Sequence, residues 1–396
     1  GMFFVRGDDN PRSNLPGRPA LDPFLAIGFA AGLVVCAARF RSRDSRCLLM
    51  WLGVMSLPSV LTDFAPHFGR DIGVTPVIAL LVAYGFAAIL QKVQSRKQKA
   101  EGRRQTAHRL LLTAYCLLLS GLAFSAYSTA RDYFDVWGTR TGLFDSFDAG
   151  YLSLAQKLRD RPANESIYLT PVDQTYYTIQ YGLAGRAARS FDGRSALALP
   201  PPGTVAAYGI VTREDDRSLA RLAALFPTGR AVDRVDDFTG KAYAMLFRVD
   251  GAPQLAPQNK VNARLGDAIE LIGYDVAREG AAIALTVYWR SIVATRSDYT
   301  VFVHLLGPPN PATQSPVWAQ DDARPGRGSF PTPHWQIGEV VIDEYRLAIP
   351  AEAPRGDYQI EMGMYILETG ARVRMIDANG APMESNRVLL ERISLP

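Results

Sequence analysis

Two apolar runs, Cys47 to Leu61 and Pro76 to Leu90, flank one short polar loop, Asp63 to Thr75. With flanking residues each run approaches the roughly 20-residue length that crosses the hydrocarbon core of a bilayer. The pair therefore reads as a membrane hairpin with the loop at its tip. That tip carries Asp63, His67, Arg70 and Asp71, and ionisable groups kept at a membrane face are candidates for touching a charged, lipid-borne ligand. Two readings stay open: a polar cap without further role, or a site in which Arg70 grips a phosphate bidentately and His67 donates beside it. In the second reading, Asp63 belongs to the same charged set, and the amide end of the third span adds positive potential.

The hairpin sits among further apolar stretches. Asp22-Pro23 is an N-cap followed by proline at the first helical position, which opens a span over about Phe24 to Phe40; a last span covers about Leu110 to Thr129. Residues 1–21 are rich in Gly, Pro, Asn and Arg and read as a loop, so residues 22–132 hold four expected transmembrane helices. Arg39, Arg41, Arg43 and Arg46 precede the second span, and Lys92, Arg96, Lys97, Lys99, Arg103 and Arg104 follow the third. Basic short loops stay cytoplasmic. The hairpin tip and everything after the fourth span then face outward, as a multi-pass plasma-membrane protein with extracytoplasmic C-terminal domains. Pro58 bends the second span, with Ser56 near the carbonyl it frees.

A mean hydropathy of -0.02 hides this division, because the first third is strongly apolar and the rest has ordinary globular composition. The net charge of +4 comes with acids and bases interspersed, which gives no nucleic-acid footprint. Cys36, Cys47 and Cys116 all lie in or beside apolar runs, so the C-terminal region has no disulfide framework. No Cys/His spacing suits a metal, and no Gly-rich phosphate loop or Gly-x-Ser-x-Gly elbow occurs; no metal or cofactor is expected. The opening Gly1-Met2 lacks the basic n-region of a signal peptide, and a start inside a loop reads as a piece of a longer protein.

Beyond an aromatic connector, Arg131 to Asp148, the periodicity changes. Strand-like Ser166 to Thr170, Thr204 to Val211 and Ala242 to Val249 alternate with helical Tyr151 to Arg159, Thr175 to Tyr181 and Asp216 to Phe226, as in a small α/β domain over residues 133–250. A Pro-rich linker, Gly251 to Asn259, then leads to an all-β region over residues 251–396. There Leu285, Val287 and Trp289 alternate with Thr286, Tyr288 and Arg290, the period of a half-buried strand in an antiparallel β-sandwich. Asp321, Asp322, Trp335, Glu339, Asp343 and Glu344 have two readings. Their carboxylates bind sugar hydroxyls or calcium while Trp335 stacks on a sugar ring, or Trp335 is core and the acids are turn residues.

The order Leu57-Pro58, Asp63, Ala65-Pro66-His67-Phe68, Arg70, Ile72-Gly73, Pro76, then Tyr133-Phe134, Trp137 and Phe147-Asp148 resembles the later part of bacterial membrane glycosyltransferases. These are the family 39, or GT-C, enzymes of the protein mannosyltransferase and aminoarabinose transferase type. Leu271-Ile272-Gly273-Tyr274, Tyr288-Trp289-Arg290, Asp298 to Leu305, Pro331-Thr332, Trp335, Gly338-Glu339 and Asp343 resemble the β-sandwich tail of certain members. The resemblance implies transfer of a sugar from a polyprenyl-phosphate donor to a glycan, lipid or protein acceptor on the outer side of the membrane. It also implies that the essential acids lie in the first outer loop of the full protein, upstream of this chain, so no catalytic residue is named. A different class stays open: a membrane-anchored carbohydrate-binding or cell-envelope scaffold protein without catalysis.

Overall fold

The computed structural model describes residues 2–63, 65–99 and 104–395. Arg103 of the second basic cluster lies outside them, as do the side chains of Arg96, Lys97, Lys99 and Arg104. The chain divides into two compact units, residues 1–149 and 150–396.

Among the described residues the α-helices of the first unit are α1 (Pro23–Ala38), α2 (Arg43–Val60), α3 (Thr75–Lys99), α4 (Arg104–Arg131) and α5 (Gly142–Ser146). Asp22 caps α1, accepting from the Phe24 and Leu25 amides at 2.8 and 3.0 Å, with Pro23 behind it at the first helical position. Of these helices, two segments are long and apolar enough to cross a membrane, Ile72–Ser95 and Leu111–Trp137. The other two expected spans fall short of that measure. Helix α1 has 16 residues, about 24 Å at 1.5 Å per residue against a core of about 30 Å, and α2 opens on Arg43, Asp44 and Arg46. Pro58 lies inside α2, but the Ser56 hydroxyl donates to Leu52 rather than to the carbonyl that the proline frees.

Glycines bring α1 and α3 into backbone contact. A Cβ on Gly85 would stand 1.9 Å from the Gly28 carbonyl oxygen, and one on Gly32 would stand 2.1 Å from that of Leu81. Gly28 and Gly32 form a Gly-x-x-x-Gly pair, the spacing that lets two helices approach where apolar surroundings give them no hydrophobic drive to associate. Phe24 fills the next layer, stacked on Phe86 at 4.9 Å and seated against Gly121 of α4.

The aromatic connector belongs to this unit. After α4 the chain widens into a π-helix, Asp132–Trp137, and is tied to the N-terminal loop. The Trp137 indole donates to Pro11 at 2.8 Å, Arg12 donates to the Ser146 carbonyl, and Arg18 Nε meets Asp132 at 3.0 Å. These ties move the boundary from the expected residue 132 to about 149.

In the second unit α6 (Ala149–Arg159) precedes β1 (Ser166–Thr170), α7 (Tyr177–Leu183), β2 (Arg189–Ser190), β3 (Ala196–Leu199), β4 (Ala206–Ile210), α8 (Ser218–Leu225), β5 (Arg230–Asp236) and β6 (Ala242–Val249). One sheet has the order β2-β1-β4-β6-β5, parallel across β2, β1 and β4 and antiparallel beyond. Then come β7 (Asn259–Leu265), β8 (Ile269–Glu279), β9 (Ala282–Ser291), β10 (Tyr299–Leu306), β11 (Val317–Gln320), β12 (Val340–Ala348), β13 (Gly356–Ile366), β14 (Met375–Ile376) and β15 (Val388–Leu395).

These form two antiparallel sheets, β14-β7-β8-β9-β12-β3 and β11-β10-β13-β15, whose inward residues share one apolar core. The alternation read in β9 holds, with Leu285, Val287 and Trp289 buried and Thr286, Tyr288 and Arg290 half-buried. The expected boundary at residue 251 does not separate two cores, because β3 leaves the α/β segment to pair with β12, Leu199 opposite Val340 and Ala196 opposite Asp343. Every residue of β3 is buried.

The glycine contact makes a direct prediction. Gly85→Val should destabilise the chain in detergent by about 2–3 kcal/mol, since the added carbons meet backbone rather than a movable side chain. Gly53→Ala, where nothing lies within 4 Å, should be neutral or slightly stabilising. Equal midpoints in chemical denaturation would show that α1 and α3 do not depend on this approach.

Candidate functional site

The N-terminal loop is folded against the hairpin tip. Asp8 is 4 % exposed; its Oδ1 accepts from the Asn10 amide at 2.8 Å and its Oδ2 from the Phe68 amide at 2.9 Å. One buried carboxylate thus ties together two segments sixty residues apart. Asn14 Nδ2 bonds the Asp8 and Arg18 carbonyls, Ser59 accepts from the His67 amide at 2.8 Å, and the Trp51 indole donates to Gly73 at 3.1 Å.

Between this loop, α1, α3 and α4 lies a cleft of about 790 Å³. Its α3 side is a row of alanines, Ala79, Ala83 and Ala87, four residues apart and therefore on one helix face. Phe86, Leu90 and Leu118 continue the apolar wall. From Thr75 to Leu90 the cleft follows α3 for about 22 Å, at 1.5 Å per residue. Its polar lining, Asn14, Arg18, Asp71 and Thr75, comes from the loop segments and the first residue of α3.

Two of these groups matter most. Arg18 meets Asp132 through Nε and donates from Nη2 to Thr129 at 3.1 Å, so an acid already balances its charge in part. Asp71 is 8 % exposed, with both carboxyl oxygens shut off from solvent. Burial raises its pKa; a hydrogen bond from the Ser59 side chain and the charge of His67 oppose that rise, and the charge of Asp8 adds to it.

The tip residues singled out from sequence stand elsewhere. Asp63 and Arg70 are exposed and His67 is half-buried, and none of the three lines the cleft. Their neighbours Phe68 and Asp71 do. The turn of the short helices Phe68–Arg70 and Ile72–Val74 buries Asp71 and leaves Arg70 exposed. The alanine row at four-residue spacing is the sequence signal that marks the cleft wall.

The sandwich residues are committed to one another. Trp335 is 4 % exposed and its indole donates to the Phe330 carbonyl at 2.9 Å, so it offers no face for a sugar ring. Asp321 pairs with Arg327 and accepts from the Arg346 amide. Asp322 meets His304 Nε2 at 3.2 Å, and Glu344 holds Arg217 and Arg221 at 2.9 and 3.0 Å. Glu339 is fully buried, accepting from Tyr168 at 2.7 Å, Arg189 at 2.8 Å and the Gln336 amide at 2.8 Å. Asp343, 1 % exposed, accepts from Tyr345 and the Gly326 amide; burial pushes its pKa up to about 7 against those bonds. Of the two sequence readings, the convergence of Asp321, Asp322, Asp343 and Trp335 on a sugar or calcium gives way to internal pairing, and Trp335 is core. No group of His, Cys, Asp and Glu among the described residues is arranged to hold a metal.

No family model matches the chain, and no curated protein matches it. Among solved structures, wild-type OgpA from Akkermansia muciniphila is similar in two crystal forms. They show 11 % and 12 % identity and TM-scores of 0.14 and 0.16; each covers 36 % of this chain, and 30 % and 32 % of OgpA. The chain thus spans about a third of that protein, and at such scores the likeness carries no argument about fold or activity.

His304 gives this unit a pH signature. Burial alone would lower its pKa, but hydrogen bonds to Asp322 and Glu361 outweigh that and hold it up at about 9, against 6.5 for the free side chain. The stabilisation is full below pH 6.5 and is lost as pH rises through 9. Between about pH 7.5 and about 9.5 the chain should lose about 1–3 kcal/mol of stability, and His304→Gln should flatten that slope. Thermal melts across the window check it; a slope unchanged in His304→Gln would place the titration elsewhere.

Proposed function

We propose that this chain is the C-terminal part of an integral membrane glycosyltransferase that moves a sugar from a polyprenyl-phosphate donor to an acceptor on the extracytoplasmic face. One observation carries the reading: a long apolar cleft, about 790 Å³, with polar groups contributed by the loops and the start of α3. An apolar trough with a few convergent polar groups fits a ligand that is mostly hydrocarbon with one polar head. A prenyl chain would lie along the alanine row, and its phosphate would meet Arg18 where α3 begins, with the α3 amide end adding favourable potential. Two helices of sufficient length and apolarity support membrane insertion; four spans, with α1 and α2 packed against the longer pair, are part of the proposal. The resemblance carried by Ala65 to Arg70 and by the Tyr133-Phe134, Trp137 sequence supplies the reaction class.

Binding follows from the cleft. A polyprenyl phosphate bearing a photoreactive group should crosslink to α3 in the purified chain, and Ala83→Phe, which fills the trough, should cut the yield at least about tenfold. Undiminished crosslinking in Ala83→Phe would remove the cleft from the donor path. Equal labelling by a photoreactive phosphatidylethanolamine would favour an anchored scaffold without catalysis. With the three native cysteines replaced, Gly69→Cys should label from outside intact cells; labelling only from the cytoplasm would reverse the orientation and defeat the reading.

A further inference from the structure

Strand β3 ends before its partner does. Ala196 pairs with Asp343, and among the described residues β12 has no strand on that side from Glu344 onward. The backbone there is satisfied in other ways: the Ser195 carbonyl accepts from the Glu344 amide at 3.1 Å, and Asp321 accepts from the Arg346 amide at 2.6 Å. This stretch of β12 lines a cavity of about 420 Å³, formed wholly within the second unit. Arginines from four segments reach it: Arg194 from the turn before β3, Arg217 from the residue before α8, Arg327 from the loop between β11 and β12, and Arg346 from β12 itself. The acids of the lining are Glu279 and Glu344. Four guanidinium groups against two carboxylates leave the wall cationic, because Asp192 and Asp321, which pair with Arg194 and Arg327, lie outside it.

One of these arginines is held against the preference of its own backbone. Gly326, Arg327 and Gly328 all have positive φ, at 61°, 56° and 88°, a conformation that costs glycine nothing and arginine something. The Arg327 guanidinium stands 5.6 Å over the Tyr345 ring and forks onto Asp321. Backbone kept in so sparse a region gathers at binding sites. The other arginines have capacity to spare. Each carries five N–H donors; Arg346 gives one bond to Glu279, and Arg194 gives Asp192 its Nε and Nη2. Both side chains are more than half exposed, and ion pairs so exposed add little to stability. A second oxyanion can therefore be gripped by the remaining N–H groups without dismantling the fold.

The size and lining narrow what carries that oxyanion. The cavity is far larger than a bare phosphate and falls within the roughly 300–1,000 Å³ of small-molecule sites. Ser195 and Thr286 bring hydroxyls to its wall. Tyr345, the aromatic residue of the lining, is 2 % exposed and lies under Arg327, so a nucleobase would find no ring to stack on.

We propose that this cavity is a binding site for an acidic saccharide, one whose carboxylate or phosphate is held by Arg346 and Arg194 and whose hydroxyls meet Ser195 and Thr286. The site belongs to the second unit alone and does not depend on the donor reading: an acidic-glycan site would serve a transferase and a scaffold alike. No bond is made or broken there; the arginines capture and hold.

The test is calorimetric titration of the full chain in detergent, at low ionic strength, with digalacturonate, glucose 6-phosphate, cellobiose, inorganic phosphate and triglutamate. At least one of the two charged sugars should bind about tenfold or more tightly than cellobiose, inorganic phosphate and triglutamate, the size of effect that one bond between charged groups provides. The tighter of the two identifies the oxyanion as carboxylate or phosphate. Arg346→Ala and Arg194→Ala should each weaken that ligand about tenfold while melting near the wild-type temperature, because both side chains sit in exposed pairs. Arg346→Lys, which keeps the charge and loses the fork, should recover only part of the affinity. Arg234→Ala removes an exposed arginine outside the lining and should bind as the wild type does. A loss in Arg234→Ala equal to that in Arg346→Ala would mean diffuse charge attraction and overturn the proposal. So would cellobiose or inorganic phosphate bound as tightly as the charged sugars, triglutamate bound more tightly than either, affinity unchanged in both Arg346→Ala and Arg194→Ala, or no binding of any of the five. None of these outcomes bears on crosslinking of polyprenyl phosphate to α3, so the two readings fail separately.

Discussion

Where Gly85 passes the Gly28 carbonyl, α1 and α3 stand closer than any side chain permits. Much of the first unit follows from that approach. The cleft beside them is walled on its α3 side by alanines that do not fill it. The N-terminal loop then closes over it, held by the Asp8 carboxylate on the Phe68 amide. Glycine at the contact and alanine at the cleft use the same property, small size, for opposite purposes: one removes space and the other preserves it.

The second unit shows a different economy of charge. Its buried acids are spent internally: Glu339 joins Tyr168, Arg189 and the Gln336 amide, and Glu361 joins His304, Arg387 and Arg372, which keep it down at about 2 although burial alone would raise it. Such networks fix the register of a sheet when every member is satisfied.

The elements were largely legible. Hydrophobic period and proline punctuation locate α1 to α4, and β6 and β9 emerge from the strand-like runs Ala242 to Val249 and Ala282 to Arg290. What escaped has physical reasons. Strand β3, Ala-Leu-Ala-Leu, is buried on both faces, so it shows no alternation; β2 and β14 are two residues each. The division at residue 251 misled because a Pro-rich linker reports a change of composition, not of core. At the hairpin tip the charged residues were visible, but which of them faces inward depends on two single-turn helices whose phase no periodicity announces. Trp335 keeps two readings in the sequence, stacking platform or core, because sequence shows an indole and not the Phe330 carbonyl that claims its N–H.

Strand β3 also sets a schedule for synthesis. Its partner β12 leaves the ribosome well over a hundred residues later, so the α/β segment emerges with an apolar edge that nothing yet covers. Long-range pairing of this kind is slow and exposes sticky strand edges in the interim. Truncation anywhere between Leu199 and Val340 would therefore yield a fragment prone to aggregate rather than a smaller working domain. The second unit must be made whole to be made soluble.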